Sequence, residues 1–286
     1  MQKLKKIIGL EKTEFDSYLK AEENNQQKRQ ILVRPARLIP VLKPGDEMAL
    51  TSIFLSSIKL IKEFRNNIFK EIKFPKGGKC FYYTEVSFPD SEFKGSRIDG
   101  LIINVSKGVI QDAVFFEMKS GNDNLEREQI ESYIKIAKTF KLDKLVTISN
   151  QFVSDPKESP IEKIKTPQSF NLFHFSWTYI QTIAQILLFN NNDNVEDEDQ
   201  VMIMHEIMNY FNHPKSGLLA YSSMHEDWKK ICQKINTNQK IKIADNDIKN
   251  AVRSWHQEEK DLALLMSRNI GVAVKSSIRG NSNNID

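Results

Sequence analysis

The sequence predicts an α/β fold: a mixed four-stranded sheet between helices, followed by a mostly helical C-terminal portion. Three observations lead there. Arg97-Ile98-Asp99-Gly100 and Phe115-Phe116-Glu117-Met118-Lys119 are rich in β-branched and aromatic residues and flank the turn-forming Ser106-Lys107-Gly108, so they read as a hairpin. Helical periodicity precedes them in Leu50, Ile53, Phe54, Ile58, Ile61, Phe64 and Ile68. A further helix-then-strand pattern follows between Asp123 and Asn150.

Residues 1–30 are charged and helical in pattern, with Phe15, Tyr18 and Leu19 forming a thin apolar stripe expected to dock on the main domain. Residues 31–42 are extended, since Pro35 and Pro40 exclude a regular helix. Lys43-Pro44-Gly45-Asp46 makes a turn, and Asp46 is the expected N-cap of one helix running to about residue 70. A lysine-rich loop around Lys76-Gly77-Gly78-Lys79 leads into a first strand over 80–88, and the hairpin supplies the second and third. Asp123 and Glu126 have capping-box spacing for a helix reaching about Phe140. A fourth strand over 144–150 closes a crossover, right-handed if strands three and four are parallel. After a loop containing Pro156, Pro160 and Pro167, Phe173-His174-Phe175-Ser176-Trp177 opens an apolar helix through Leu188. Helices around 201–211, 228–235 and 245–267 complete the chain. The expected division is an N-terminal helical extension (1–30), a core (31–155) and a mainly helical C-terminal portion (156–286).

The hairpin carries the chemistry. Asp99 and Glu117 are equally far from Gly108, so a hairpin symmetric about that glycine sets the two carboxylates opposite each other. Period-two alternation puts Lys119 on the face of Glu117 and turns Phe116 and Met118 to the other. Two acids held together repel, and a divalent cation relieves them. An acid–x–Lys triplet alone is common on exposed strands. Here it interrupts an otherwise buried strand, where charge is costly unless something pairs with it.

Composition narrows the function classes. A net charge of +4 is compatible with nucleic acid without demanding it. Cys80 and Cys232 lie far apart without CxxC spacing, which argues against a disulfide scaffold or cysteine-based zinc site and for a reducing compartment. No apolar run reaches membrane-spanning length and the N-terminus has no signal-peptide core, so a cytoplasmic protein without membrane partners is expected. His205-Glu206 begins like HExxH, but Asn209 stands where the second ligand belongs. His174, His213, His225 and His256 are scattered and expected to be structural or exposed, as Trp177 and Trp228 are expected to be core. Lys73, Lys76 and Lys79 form a basic loop, ordinarily a solvated surface, that could touch a phosphodiester backbone.

Asp99 with Glu117-Met118-Lys119 resembles the signature of the PD-(D/E)XK nuclease superfamily, and the order helix, three-strand meander, helix, strand resembles its restriction-endonuclease-like core. Gln129 and Tyr133, spaced i, i+4 on the next helix, resemble the QxxxY element of one branch of the superfamily. Ala36-Arg37-Leu38-Ile39-Pro40-Val41, Thr51-Ser52, Thr147-Ile148-Ser149-Asn150, His174-Phe175-Ser176-Trp177 and His213-Pro214-Lys215-Ser216-Gly217 through Trp228 resemble a group of bacterial predicted nucleases linked to defence against foreign DNA. The resemblance covers about Pro35 to Ile270. Members of that group are longer, which implies a further C-terminal piece.

This resemblance implies a metal-dependent nuclease acting on DNA, with endonuclease action expected and RNA as the alternative substrate. Asp99, Glu117 and the Met118 carbonyl would bind Mg²⁺, with Mn²⁺ as a substitute. Lys119 would position the attacking water and stabilise the transition state. Gln129 would orient Lys119 or the water, and Tyr133 would support Gln129 or a phosphate. Glu47, in the first turn of the first core helix, is the expected extra carboxylate in preference to Glu85. Lys76 and Lys79 are the other expected nucleic-acid contacts. A second copy of the chain or a defence-system protein is the expected partner; the alternative function is an inactive nucleic-acid-binding or scaffold protein of the same fold.

Overall fold

A computed structural model describes residues 39, 46–88, 92–153, 155–161, 163–189, 195–219, 224–242 and 245–276. The expected N-terminal helix, the expected extended segment over 31–42 apart from Ile39, and residues 43–45 of the turn expected before Asp46 lie outside these residues.

Asp46 does cap the first helix. Its Oδ1 accepts from the Ala49 amide at 3.1 Å, satisfying one of the amides that a helix start leaves unpaired. The expected single helix to residue 70 is instead two, α1 (Glu47–Leu60) and α2 (Lys62–Glu71). Between them Ile61 is extended, at φ −109° and ψ 107°. Ser57 Oγ donates back to the Ile53 carbonyl at 2.6 Å, a bond that bends helices. The amide of Lys62 is taken by Gln200 Oε1 at 2.9 Å. The apolar period runs through the break because Ile61 is itself fully buried.

Strands β1 (Lys79–Ser87), β2 (Arg97–Ser106) and β3 (Val109–Met118) form an antiparallel meander. The hairpin turns on Lys107 and Gly108, both at positive φ (52° and 76°), the conformation of a two-residue type I′ turn. That turn alone would pair Val105 with Ile110, as it does. A bulge next to Asn104 then shifts the ladder by one, so that Asn104 pairs with Asp112 and Gly100 with Phe116. Next in that register, Asp99 faces Glu117, as the symmetry about Gly108 predicted.

Helix α3 spans Arg127–Thr139, three residues later than a capping box at Asp123 requires. No side chain caps it, and the Asp123 amide instead closes a turn onto the Ser120 carbonyl at 3.1 Å. Strand β4 (Lys144–Ser149) runs parallel to β3. A fifth strand, β5 (Asn171–Ser176), then pairs parallel with β4, so the sheet has five strands in the order β1-β2-β3-β4-β5, not four. Phe173, His174 and Phe175 are all buried, as expected for a parallel strand covered on both faces. Helices α4 (Trp177–Phe189), α5 (Glu198–Phe211), α6 (Asp227–Asn236) and α7 (Asn246–Ile270) follow.

Two apolar layers cover the sheet. One contains Ile102, Val114, Phe116, Met118, Val146 and Ile148 against α1, α2, α4 and α5. The other contains Phe115 and Leu145 against Ile130, Tyr133, Ile134 and Ala137 of α3. The alternation along β3 therefore turns Glu117 toward α3, away from Phe116 and Met118. Helix α1 approaches β2 closely at Gly100, where an added Cβ would meet Leu55 Cδ1 at 2.9 Å and Phe116 Cβ at 3.2 Å. Leu55 can rotate away but the Phe116 Cβ cannot. Gly100→Ala should therefore lower stability by about 1–2 kcal/mol in chemical denaturation, the usual cost of overpacking.

Candidate active site

Four charged side chains converge where β3 ends. Glu117 lies on the strand and is 1 % exposed, with its carboxylate inside the protein. Its Oε1 accepts from Gln129 Nε2 at 2.8 Å and lies 3.2 Å from Lys119 Nζ. Its Oε2 is buried without a hydrogen-bond partner, although such groups are normally satisfied. Asp99 Oδ2 accepts from the Met118 amide at 2.7 Å. The N–H and C=O of one strand residue point to the same side, so the Met118 carbonyl also faces the Asp99 side of β3.

Glu47 comes from the first turn of α1. Its Oε1 accepts from the Ser120 amide at 2.9 Å, and its Oε2 lies 3.4 Å from Lys119 Nζ. Glu85 goes elsewhere, pairing with the Arg97 guanidinium at 2.8 Å. The expected preference for Glu47 over Glu85 thus matches where the two side chains lie.

Gln129 and Tyr133 act in series. Gln129 Nε2 donates to Tyr133 Oη at 3.0 Å as well as to Glu117, and the Tyr133 hydroxyl donates to the Arg97 carbonyl at 2.7 Å. Tyr133 is 6 % exposed, so it braces Gln129 from within. Gln129 orients Glu117, whereas Lys119 or a water was expected. Lys79 pairs with Val105 at the opposite end of β1 from Glu85, six residues away, about 20 Å along the strand. The structure leaves Lys76 and Lys79 apart from the carboxylates.

Burial and crowding set the electrostatics. Burial, with the Asp99 charge adding to it, pushes the Glu117 carboxyl up to about 8. Burial also raises Asp99, against the pull of the Met118 amide and Lys119. Burial works to lower the Lys119 ammonium, but Glu117 and Glu47 outweigh it and hold it above the usual lysine range. Lys119 is therefore a fixed cation at neutral pH. For the two carboxyls, burial outweighs the compensation that Lys119 and the Met118 amide give their charged forms.

Several further residues support the site through bonds that their sequence pattern did not assign. Trp177, fully buried at the start of α4, donates its Nε1–H to the Lys119 carbonyl at 2.8 Å. Lys119 extends the ladder by donating its amide to the Ile148 carbonyl at 2.8 Å. Asn150 Nδ2 donates to the carbonyls of Gly121 (2.9 Å) and Gly217 (2.8 Å), and its Oδ1 accepts from the Leu219 amide. These bonds hold the loop that follows Lys119. His174 is fully buried and pushed down to about 4 by that burial; its Nε2–H donates to the Gln151 carbonyl at 2.7 Å. It is structural.

A 570 Å³ cleft opens beside this cluster, lined by Gly95, Ser96, Arg97, Gln129, Ser132 and Tyr133. A 610 Å³ hollow toward the other end of the sheet, walled by Phe88, Phe115 and Phe140, contains none of these site residues. Among the described residues, no three His, Cys, Asp or Glu side chains group as a ready-made cation cage. No family model, curated protein or solved structure matches the chain in comparison.

Proposed function

We propose that the protein is a metal-dependent nuclease of the PD-(D/E)XK type that hydrolyses phosphodiester bonds in DNA. The carrying observation is the meeting of Asp99, Glu117, Lys119 and Glu47 at the end of β3, with Glu117 Oε2 buried and unpartnered. Burial holds that carboxyl protonated up to about 8, and charging it costs stability unless a cation compensates. The donor set suits a hard divalent cation: two carboxylates and a main-chain carbonyl, all oxygen. Asp99, Glu117 and the Met118 carbonyl would hold Mg²⁺, and Mn²⁺ has the same preference for oxygen. The ion would supply Lewis-acid stabilisation of charge on the phosphoryl group.

The chain's own residues do the rest. Lys119, held as an ammonium between Glu117 and Glu47, donates hydrogen bonds to the phosphoryl oxygens as their charge grows. Glu47 keeps Lys119 extended toward the site, and the Ser120 amide keeps Glu47 in place. Gln129, braced by Tyr133, fixes Glu117 Oε1 and leaves Oε2 for the ion. A defence role against foreign DNA is the biological setting that the sequence resemblance suggests.

Metal binding to the pair requires Glu117 to lose its proton. Because that carboxyl is held up near 8, Mg²⁺ affinity should rise with pH from 6 to 9 and binding should release a proton. Calorimetric Mg²⁺ titrations in buffers of different ionisation enthalpy measure both. Affinity that is flat with pH, or binding unchanged in Asp99→Asn, would argue against this site.

A further inference from the structure

Arg97 lies two residues before Asp99 on β2, about 7 Å along the strand, a distance comparable to one nucleotide step. Its backbone belongs to the site, because its carbonyl accepts the Tyr133 hydroxyl that braces Gln129 and, through it, Glu117. Its side chain is 60 % exposed, and Arg97 is one of the residues lining the 570 Å³ cleft, together with Gln129 and Tyr133. An exposed guanidinium thus belongs to the same residue whose backbone supports the groups that orient Glu117.

Glu85 holds that guanidinium in an unusual way. The β1–β2 ladder pairs Thr84 with Gly100 and Val86 with Ile98, leaving Glu85 unpaired opposite Asp99. Glu85 has φ 57°, a left-handed conformation that is strained for a non-glycine residue. Its carboxylate meets Arg97 Nη1 at 2.8 Å. An ion pair with its guanidinium this exposed contributes little, so it does little to offset that strain. A carboxylate held this way sets the guanidinium fork in the cleft and gives way to an anion that can engage the fork in a bidentate manner.

Resting on the nuclease reading above, we infer that Arg97 clamps the DNA phosphate next to the scissile one, with Glu85 as the internal carboxylate that this phosphate displaces. The two residues then have opposite effects on affinity. Removing Arg97 deletes a phosphate contact, whereas neutralising Glu85 removes the competitor.

The test is equilibrium binding of a fluorescein-labelled DNA duplex and single strand in Ca²⁺ or EDTA, where turnover is absent, across a range of salt. Wild type, Arg97→Ala, Glu85→Gln and the double variant are compared, with melting temperatures measured alongside. Arg97→Ala should bind about tenfold more weakly and lose about one unit of salt slope. Glu85→Gln should bind severalfold more tightly, and the double variant should match Arg97→Ala. A purely structural pair would weaken binding in both single variants and lower both melting temperatures. Arg97→Ala with wild-type affinity and slope, or Glu85→Gln binding no more tightly than wild type, overturns the clamp and leaves the nuclease reading intact. A wild-type protein that binds neither DNA overturns both.

Discussion

Lys119→Ala is expected to reduce DNA cleavage by roughly 10²–10⁴-fold while leaving DNA affinity within a few fold of wild type. The ammonium sits between Glu117 Oε1 at 3.2 Å and Glu47 Oε2 at 3.4 Å, and these carboxylates keep it charged. It therefore serves where negative charge grows, in the transition state, so its loss falls on kcat more than on binding. Its backbone would be unaffected: the amide still reaches the Ile148 carbonyl, and Trp177 still holds the carbonyl of residue 119. Single-turnover cleavage with saturating protein separates the two effects. Loss of binding with an unchanged chemical step would make Lys119 a substrate anchor.

Glu117→Gln should have the second largest effect, and in two directions at once. Mg²⁺ binding and cleavage should vanish, while the metal-free protein gains stability over wild type that builds between about pH 4.5 and 8 and is complete above it. The sign follows from the raised carboxyl. Folded Glu117 holds its proton up to about 8, whereas the unfolded chain releases it near the ordinary value of 4.5. Its contribution is therefore fully present below about pH 4.5 and is lost as pH rises through about 8. The uncharged amide has no such loss, and Lys119 keeps Glu47 as a partner. At pH 9 the gain should be roughly 2–4 kcal/mol, or several degrees in melting temperature; at pH 5 the two proteins should melt alike. A variant less stable than wild type at pH 9 would mean that Glu117 is a structural ion-pair partner. Stability gained where function is lost is the usual signature of a strained site.

His174 carries the opposite linkage, its folded value near 4 lying below the ordinary 6.5. It therefore costs stability as pH falls through 6.5, so the Glu117 comparison is cleanest on the alkaline side.

The hairpin and its acids were legible in the sequence because their geometry is local. Lys107 and Gly108 force the turn, and the period of two then fixes which side chains face each other. The register came out as symmetry required, through two features the symmetry did not contain: a two-residue turn and a bulge beside Asn104 that restores the count. The spacing of Gln129 and Tyr133 was visible, but the order of the bonds through them was not.

What stayed hidden was tertiary. Strand β5 passes directly into α4 between Ser176 and Trp177 with no turn residue between them, and a short apolar run does not distinguish strand from helix. The break at Ile61 depends on Gln200, distant in sequence. That Glu47 joins the carboxylates rested on family resemblance, and its contact with Lys119 was not foreseen, since nothing local connects residues so far apart. Trp177 and Asn150 lie in stretches that resemble the nuclease group, but their bonds to the loop after Lys119, like the Glu85–Arg97 pair, carry no local pattern. They matter only because the fold brings them to the end of β3.

One measurement tests the central claim most directly: incubation of the protein with covalently closed circular DNA, linear DNA and RNA in Mg²⁺, Mn²⁺ or EDTA, with Lys119→Ala in parallel. The expected result is cutting of closed circles in Mg²⁺ and Mn²⁺, none in EDTA, and almost none by the variant. Cutting in EDTA, equal cutting by Lys119→Ala, or no cutting of any nucleic acid under metal-replete conditions would contradict it.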